Sequence, residues 1–161
     1  MEWTFTPEEE AFRAQIRAFL DEHLPNDWTD ASFTLPADAA ERDALAEKMT
    51  KRLADKQWLA MAWPSEHGGL DASHMQQMIY NEETSYRAMP GGGGMGVAWV
   101  GPAIMLYGTE EQKKHYIPRI TNADDVWCTL YSEPTAGSDL AALQTRAIRD
   151  GDEYVLNGQK I

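Results

Sequence analysis

Cysteine is almost absent. Cys128 is the only one in 161 residues, which excludes an internal disulfide and any thiolate metal cluster. Positive charge is scarce too. The 14 Lys and Arg stand against 26 Asp and Glu, a formal net charge of −12. A surface this acidic repels nucleic acid and anionic membrane, so neither is an expected partner. No apolar run approaches the ~20 residues that span a bilayer. The N-terminal stretch MEWTFTPEEE lacks the basic-then-apolar layout of a signal peptide, and a cytoplasmic location is expected. His23, His67, His74 and His115 lack metal-ligand spacing, so no metal site is expected and each reads as a surface or capping histidine. What remains is an ordinary globular mixture, 43% hydrophobic and 25% charged, long enough for one domain with a real core, or for one domain and part of a second.

Helical signals fill most of the chain. Thr6-Pro7-Glu8-Glu9 is a capping box with proline at the first helical position. Phe12, Ile16, Phe19 and Leu20 then recur at helical spacing until Pro25 stops the helix. Residues 25–37 read as a loop. A second helix is predicted over 38–56, with Leu45, Met49 and Leu53 as its apolar stripe and Glu47–Lys51 as an i,i+4 pair. Gly68-Gly69 marks a turn after the apolar WLAMAWP. A third helix starts near Ser73 with a box to Gln76; Met75, Ile79, Glu82 and Tyr86 share a face, and Glu82 reads as a rim residue without a role. A fourth, over 95–107, is apolar on nearly every side and is expected to be central and buried, with Gly108 as its C′ residue. Thr109 to Gln112 opens a fifth, which Pro118 ends or bends.

The pattern then changes. Residues 126–132 (VWCTLYS) are rich in β-formers and read as a strand, with Cys128 as a small buried hydrophobe. Residues 145–149 and 153–156 read as two more strands joined at Asp150-Gly151-Asp152. Asn157-Gly158 is a hairpin signal that should begin a fourth strand at 159–161. A hairpin with a three-residue second arm is unfinished, so the chain is expected to be a piece of something longer. Its expected domains are helical over 1–125 and β over 126–161. Trp3, Trp28, Trp58, Trp63, Trp99 and Trp127 read as core or interface.

Two segments are candidates for chemistry. Within PGGGGMG, Gly91, Gly93 and Gly96 satisfy G-x-G-x-x-G. A dinucleotide fingerprint needs a strand before the turn and a helix after it. Here a helix and Pro90 precede the run, no strand follows for ~30 residues, and no Lys-Ser or Lys-Thr completes a P-loop. The run reads as a hinge between helices. The second candidate is SEPTAGSD, a loop of small polar residues at a predicted strand's end. Gly137 admits a close ligand approach, Ser132 and Ser138 carry hydroxyls, and Asp139 is placed to cap a short helical turn. On residues alone this segment reads as an ordinary surface loop or as a site.

The stretch TLYSEPTAGSDLAALQTRA, followed by DGDEYVLNGQKI, resembles the acyl-CoA dehydrogenase family in its [ST]-E-P-x-A-G-S-D pattern. WTFTPEEEAFRAQIRAFL, the WPSEHGG turn and LYGTEEQKKHYIPRI are similar to that family in the same order. The resemblance implies a mainly α fold: an N-terminal helical bundle followed by the first strands of a β-barrel-like middle domain, with a four-helix C-terminal domain beyond, assembled as a tetramer. It implies FAD as cofactor and an acyl-CoA substrate. A glutamate base removes the α-proton, and the β-hydride passes to the flavin to leave a trans-2-enoyl-CoA. An electron-transfer flavoprotein or similar acceptor is the implied redox partner.

By position, the resemblance assigns Thr129, Leu130, Tyr131, Ser132, Gly137 and Ser138 to the flavin. Ser138 would also line the thioester channel. Gly91, Gly92, Met95 and Trp99 would form the floor of the acyl pocket. Four residues without side chains at 91–94 leave room for a bulky, ring-bearing acyl group, unless Met95 or Trp99 fills it. Thr135 stands where many members carry glycine, so the conformation of that turn is not carried over. No residue of this chain is assigned as a catalytic base; Glu82 and Glu133 are left without a role. Another flavoenzyme on the same scaffold, such as a monooxygenase or a nitroalkane oxidase relative, and a non-catalytic, partner-dependent subunit are the alternatives.

Overall fold

A computed structural model describes residues 4–25 and 38–161. Most of the loop expected at 25–37, with Trp28, lies outside the described residues, as does Trp3. The chain divides into two compact units, Met1–Trp127 and Cys128–Ile161. Five α-helices and a two-stranded antiparallel sheet make up its regular structure among the described residues. The fold is mainly α, as expected.

The first unit follows its capping signals. Helix α1 (Pro7–His23) opens on the Thr6 box: the Glu9 N–H donates to the Thr6 hydroxyl at 3.2 Å, and the Thr6 N–H to the Glu9 carboxylate at 2.8 Å. It stops where Leu24 turns extended, because proline next in the chain disfavours the helical region for its predecessor. Helix α2 (Ala39–Asp55) is capped by Asp38, and α3 (His74–Tyr86) by the Ser73–Gln76 box. Ile16, Phe19, Leu20, Met49, Leu53, Trp58, Leu59 and Ile79 form the core these helices share. The predicted Glu47–Lys51 pair is replaced: Lys51 reaches Asp124 at 3.0 Å instead. An exposed i,i+4 pair is worth only a few tenths of a kcal/mol, about the same as any other exposed partner, so geometry decides.

The fourth helical segment departs from expectation. A wide π-type turn over Gly96–Val100 leads into α4 (Gly101–Tyr107). Among its residues only Gly96 and Gly101 are buried, while Trp99, Leu106 and Tyr107 are 51%, 74% and 87% exposed. The segment is therefore not central. It lays its smallest residues on the second core, formed by Ala60, Trp63, Ile117 and Ile120. A Cβ on Gly101 would stand 2.0 Å from the buried Trp63 ring, so an all-apolar sequence still has a unique inner face, set by close approach.

Gly108 is extended rather than left-handed, because Thr109 is already the N-cap of α5 (Glu110–Thr121). Pro118 does not end α5. Burial of Ile117 and Ile120 on either side of it outweighs one missing hydrogen bond.

Residues 126–132 form no strand among the described residues, and in the second unit Cys128 is exposed rather than buried. β-propensity describes fit to a ladder, and the only ladder in this unit joins β1 (Arg146–Asp150) to β2 (Glu153–Asn157). Ile148 faces Val155 in the register, and Gly151 turns the hairpin with φ +62°. Residues 159–161 likewise form no strand. Lys160 and Ile161 instead bond to the loop after residue 130.

Candidate functional site

Residues 129–138 form a bend whose shape comes from one acid. Glu133 is 6% exposed although its surroundings are polar. Its main chain closes a tight turn with Ala136: the Glu133 N–H donates to the Ala136 carbonyl at 2.8 Å, and the Ala136 N–H to the Glu133 carbonyl at 3.1 Å. Its carboxylate accepts from the Gln144 N–H at 2.7 Å and the Thr145 N–H at 2.9 Å, and pairs with the Lys160 ammonium at 2.9 Å. Lys160 also donates to the Tyr131 carbonyl, and the Ile161 N–H to the Ser132 carbonyl. Thr135 in this turn is not among the residues at positive φ, so the turn does not need glycine there. As expected, Asp139 caps the short 3-10 turn Leu140–Ala142.

The Thr145 hydroxyl, the Gln144 N–H, the Lys160 ammonium and the Thr145 N–H hold the Glu133 carboxyl down to about 2. The hydroxyl acts by proximity, since it closes no hydrogen bond of good geometry. A carboxylate with a depressed pKa stabilises fully above its ordinary value, here 4.5, and the benefit is lost as pH falls toward 2. Exchange of the Gln144 and Thr145 amides, corrected for its intrinsic pH dependence, is expected to accelerate across that window. Unchanged protection down to pH 2 would contradict this.

The residues assigned to the flavin lie together on this bend. Leu130 and Tyr131 are 61% and 58% exposed, Thr129 and Ser132 are half-buried, and Gly137 and Ser138 are exposed. A Cβ on Gly137 would meet nothing within 4 Å. Among the described residues the Gly137 and Ser138 N–H groups have no acceptor. Two adjacent free amides beside an uncovered glycine suit the oxygens of a phosphate, and exposed Leu130 and Tyr131 suit a flat ring.

The glycine run borders a cleft of about 520 Å³ in the first unit. Gly92 to Gly96, including Met95, form one wall; Ala46 and Thr50 of α2, with Leu59, Ile120 and Trp127, form others. Thr50 anchors the run, since its hydroxyl accepts the Gly92 N–H at 3.0 Å while donating to the Ala46 carbonyl at 2.8 Å. Gly91 lies behind the wall rather than in it: a Cβ there would stand 2.4 Å from the Ala46 carbonyl oxygen. Trp99 is exposed and does not line the cleft. Met95 therefore narrows the space without filling it.

Sequence reasoning left Glu133 without a role and did not single out Thr50, Lys160 or Glu83. Glu133 carried a faint signal, an acid wedged between Ser132 and Pro134 with no other charge until Asp139. On α3 the buried acid is Glu83, not Glu82. Glu83 is 4% exposed and pairs with Arg13, while Arg17 grips it with a two-pronged contact at 2.8 and 2.9 Å. Glu82 is exposed and meets Arg13 at 2.8 Å, and the Arg13 guanidinium lies over the Phe5 ring. This cluster ties α1 to α3 and does not line the cleft.

Residues 6–124 match the profile of the acyl-CoA dehydrogenase N-terminal domain. The chain is 37% identical over 161 residues to acyl-CoA dehydrogenase FadE26 of Mycobacterium tuberculosis, covering all of this chain and 40% of that protein. It is similar in structure to the ChsE4–ChsE5 complex from M. tuberculosis (TM-score 0.77, 36% identity, all of this chain and 39% of that one). It is also similar to the Tcur3481–Tcur3483 steroid ACAD (TM-score 0.75, 38% identity, all of this chain and 41% of that one). The chain thus spans about two fifths of the length of the relatives it matches. With the helical order, the SEPTAGSD bend and a family profile over three quarters of its residues in agreement, this chain belongs to the acyl-CoA dehydrogenase family.

Proposed function

We propose that the full-length protein is an FAD-dependent acyl-CoA dehydrogenase whose substrates carry a bulky, ring-bearing acyl group. The observation that carries this reading is the roughly 520 Å³ cleft left open beside the glycine run. A steroid enzyme among the similar structures supports it. Residues 92–96 and Trp127 shape the space for the ring system. The only cation lining the cleft among the described residues, Lys51, is already paired with Asp124, and Asp125 with Arg119. Gly137 and Ser138 donate main-chain N–H groups to the FAD pyrophosphate, and the Ser132 hydroxyl donates toward the ring. FAD, when bound, accepts the substrate's β-hydride. The base that takes the α-proton lies in the C-terminal domain, and an electron-transfer flavoprotein or similar acceptor reoxidises the flavin.

A second reading is a subunit that works only with a partner, favoured because one of the similar structures is a complex of two named proteins. One experiment separates the two. Full-length protein, purified alone and with FAD and an electron-accepting dye, is expected to oxidise ring-bearing acyl-CoA thioesters with higher kcat/KM than butyryl-CoA. Good turnover of butyryl-CoA with none of ring-bearing thioesters would refute the bulky-substrate reading. Protein that holds FAD and turns over only when co-expressed with a partner would establish the second.

A further inference from the structure

We propose that Glu133 is a positioning residue for the flavin. Its carboxylate holds the bend at 129–138 in the one shape that turns the Gly137 and Ser138 N–H groups outward to the FAD pyrophosphate. This rests on the flavoenzyme reading above.

The wiring of the bend carries the inference. Glu133 sits at the centre of attachments from both ends of the hairpin. From one side come the Gln144 and Thr145 N–H groups, at the entry to β1; from the other comes Lys160, after β2. Lys160 passes the constraint back to the Tyr131 carbonyl, and Ile161 adds a bond to the Ser132 carbonyl. The carbonyls of 131 and 132 are thus tied to the chain after β2, and 133 and 136 to each other. The Gly137 and Ser138 N–H groups, like those of Thr135 and Asp139, donate to no acceptor among the described residues.

Only a carboxylate serves at this position. The three donors that converge on Glu133 need two acceptor oxygens, and an ionised carboxylate has acceptors only. A glutamine has one oxygen; its NH2 would face a donor that it cannot accept from. A lysine accepts nothing. The role therefore differs from that of a simple ion pair with Lys160, which could be exchanged end for end.

The test uses full-length protein, with FAD titrated by absorbance and fluorescence. Glu133→Gln is expected to raise the FAD Kd by about ten-fold or more, the scale for losing hydrogen bonds to a charged group. It should also speed amide exchange at Gln144 and Thr145 and leave the helical circular dichroism unchanged. Lys160→Met should raise Kd less, because both amide contacts to the carboxylate survive. The charge swap, Glu133→Lys with Lys160→Glu, should bind FAD no better than Glu133→Gln.

Wild-type affinity in Glu133→Gln, or recovery of affinity in the swap, would overturn the proposal. So would loss of the helical signal together with FAD, since Glu133 would then serve global folding. Wild-type protein that binds no FAD overturns the flavoenzyme reading and this proposal together. An unaffected Glu133→Gln beside an FAD-binding wild type overturns this one alone.

Discussion

Glu83→Ala is expected to lower folding stability by about 3–5 kcal/mol, the cost of stranding a buried charge by removing its partner. Arg13 would be left with its side chain 10% exposed and only the solvent-facing Glu82 to answer it. Arg17 would lose less, being 61% exposed. For a chain of this size the change corresponds to a fall in Tm of about 10 °C. The double change Arg13→Met with Glu83→Leu should recover most of the loss, because a buried ion pair and a packed apolar pair of similar volume are close in free energy. A Glu83→Ala protein that melts within a degree or two of the parent would show that the α1–α3 cluster holds nothing together.

The same cluster makes the first unit acid-sensitive. Burial alone pushes the Glu83 carboxyl up, but the hydrogen bonds from Arg17 and Arg13 outweigh burial and leave it below its ordinary 4.5. Its contribution is thus complete above about pH 4.5 and disappears as pH falls through the lower folded value. In Glu83→Ala that part of the acid dependence should be missing.

Gly91→Ala is expected to cost about 2–4 kcal/mol, from a left-handed backbone that disfavours a side chain and from overpacking. Gly91 has φ +85°, and its Cβ would fall 2.4 Å from the Ala46 carbonyl oxygen and 2.6 Å from the Thr50 hydroxyl. The first of these is helix backbone, which cannot step aside. Thr50 is also the anchor of Gly92, so the strain passes directly into the cleft wall. Denaturant unfolding measures the stability loss. Gly137→Ala, where a Cβ meets nothing within 4 Å, is the internal control and should be close to neutral in folding. Equal stabilities for Gly91→Ala and Gly137→Ala would mean that the run is a loose tether rather than a fitted wall.

Helix starts were the most legible part of the fold. Thr6, Ser73 and Thr109 each face a Glu or Gln three residues on, and all three boxes close as written. A cap is a contact among neighbours in the chain, so its residues suffice to specify it. The cores of α1 to α3 were legible for the same reason, since Ile16, Leu20, Met49, Leu53 and Ile79 repeat at helical spacing. The bend at 129–138 was legible as a family pattern. The reason it keeps its shape was not, because the Glu133 contacts come from 11, 12 and 27 residues away.

What the sequence determined by itself was therefore what adjacent residues settle: helix ends, turn positions, the hairpin at Gly151, and membership in a family through a contiguous motif. Tertiary structure alone decided which side of an all-apolar helix faces inward, which of two neighbouring glutamates is buried, and whether a β-prone stretch finds a ladder. These depend on what arrives from elsewhere in the chain. Trp63 selects the glycine face of α4, Arg13 and Arg17 converge on Glu83, and residues 126–132 meet no strand to pair with among the described residues. Burial and pairing are properties of two surfaces at once, and a linear pattern supplies only one of them.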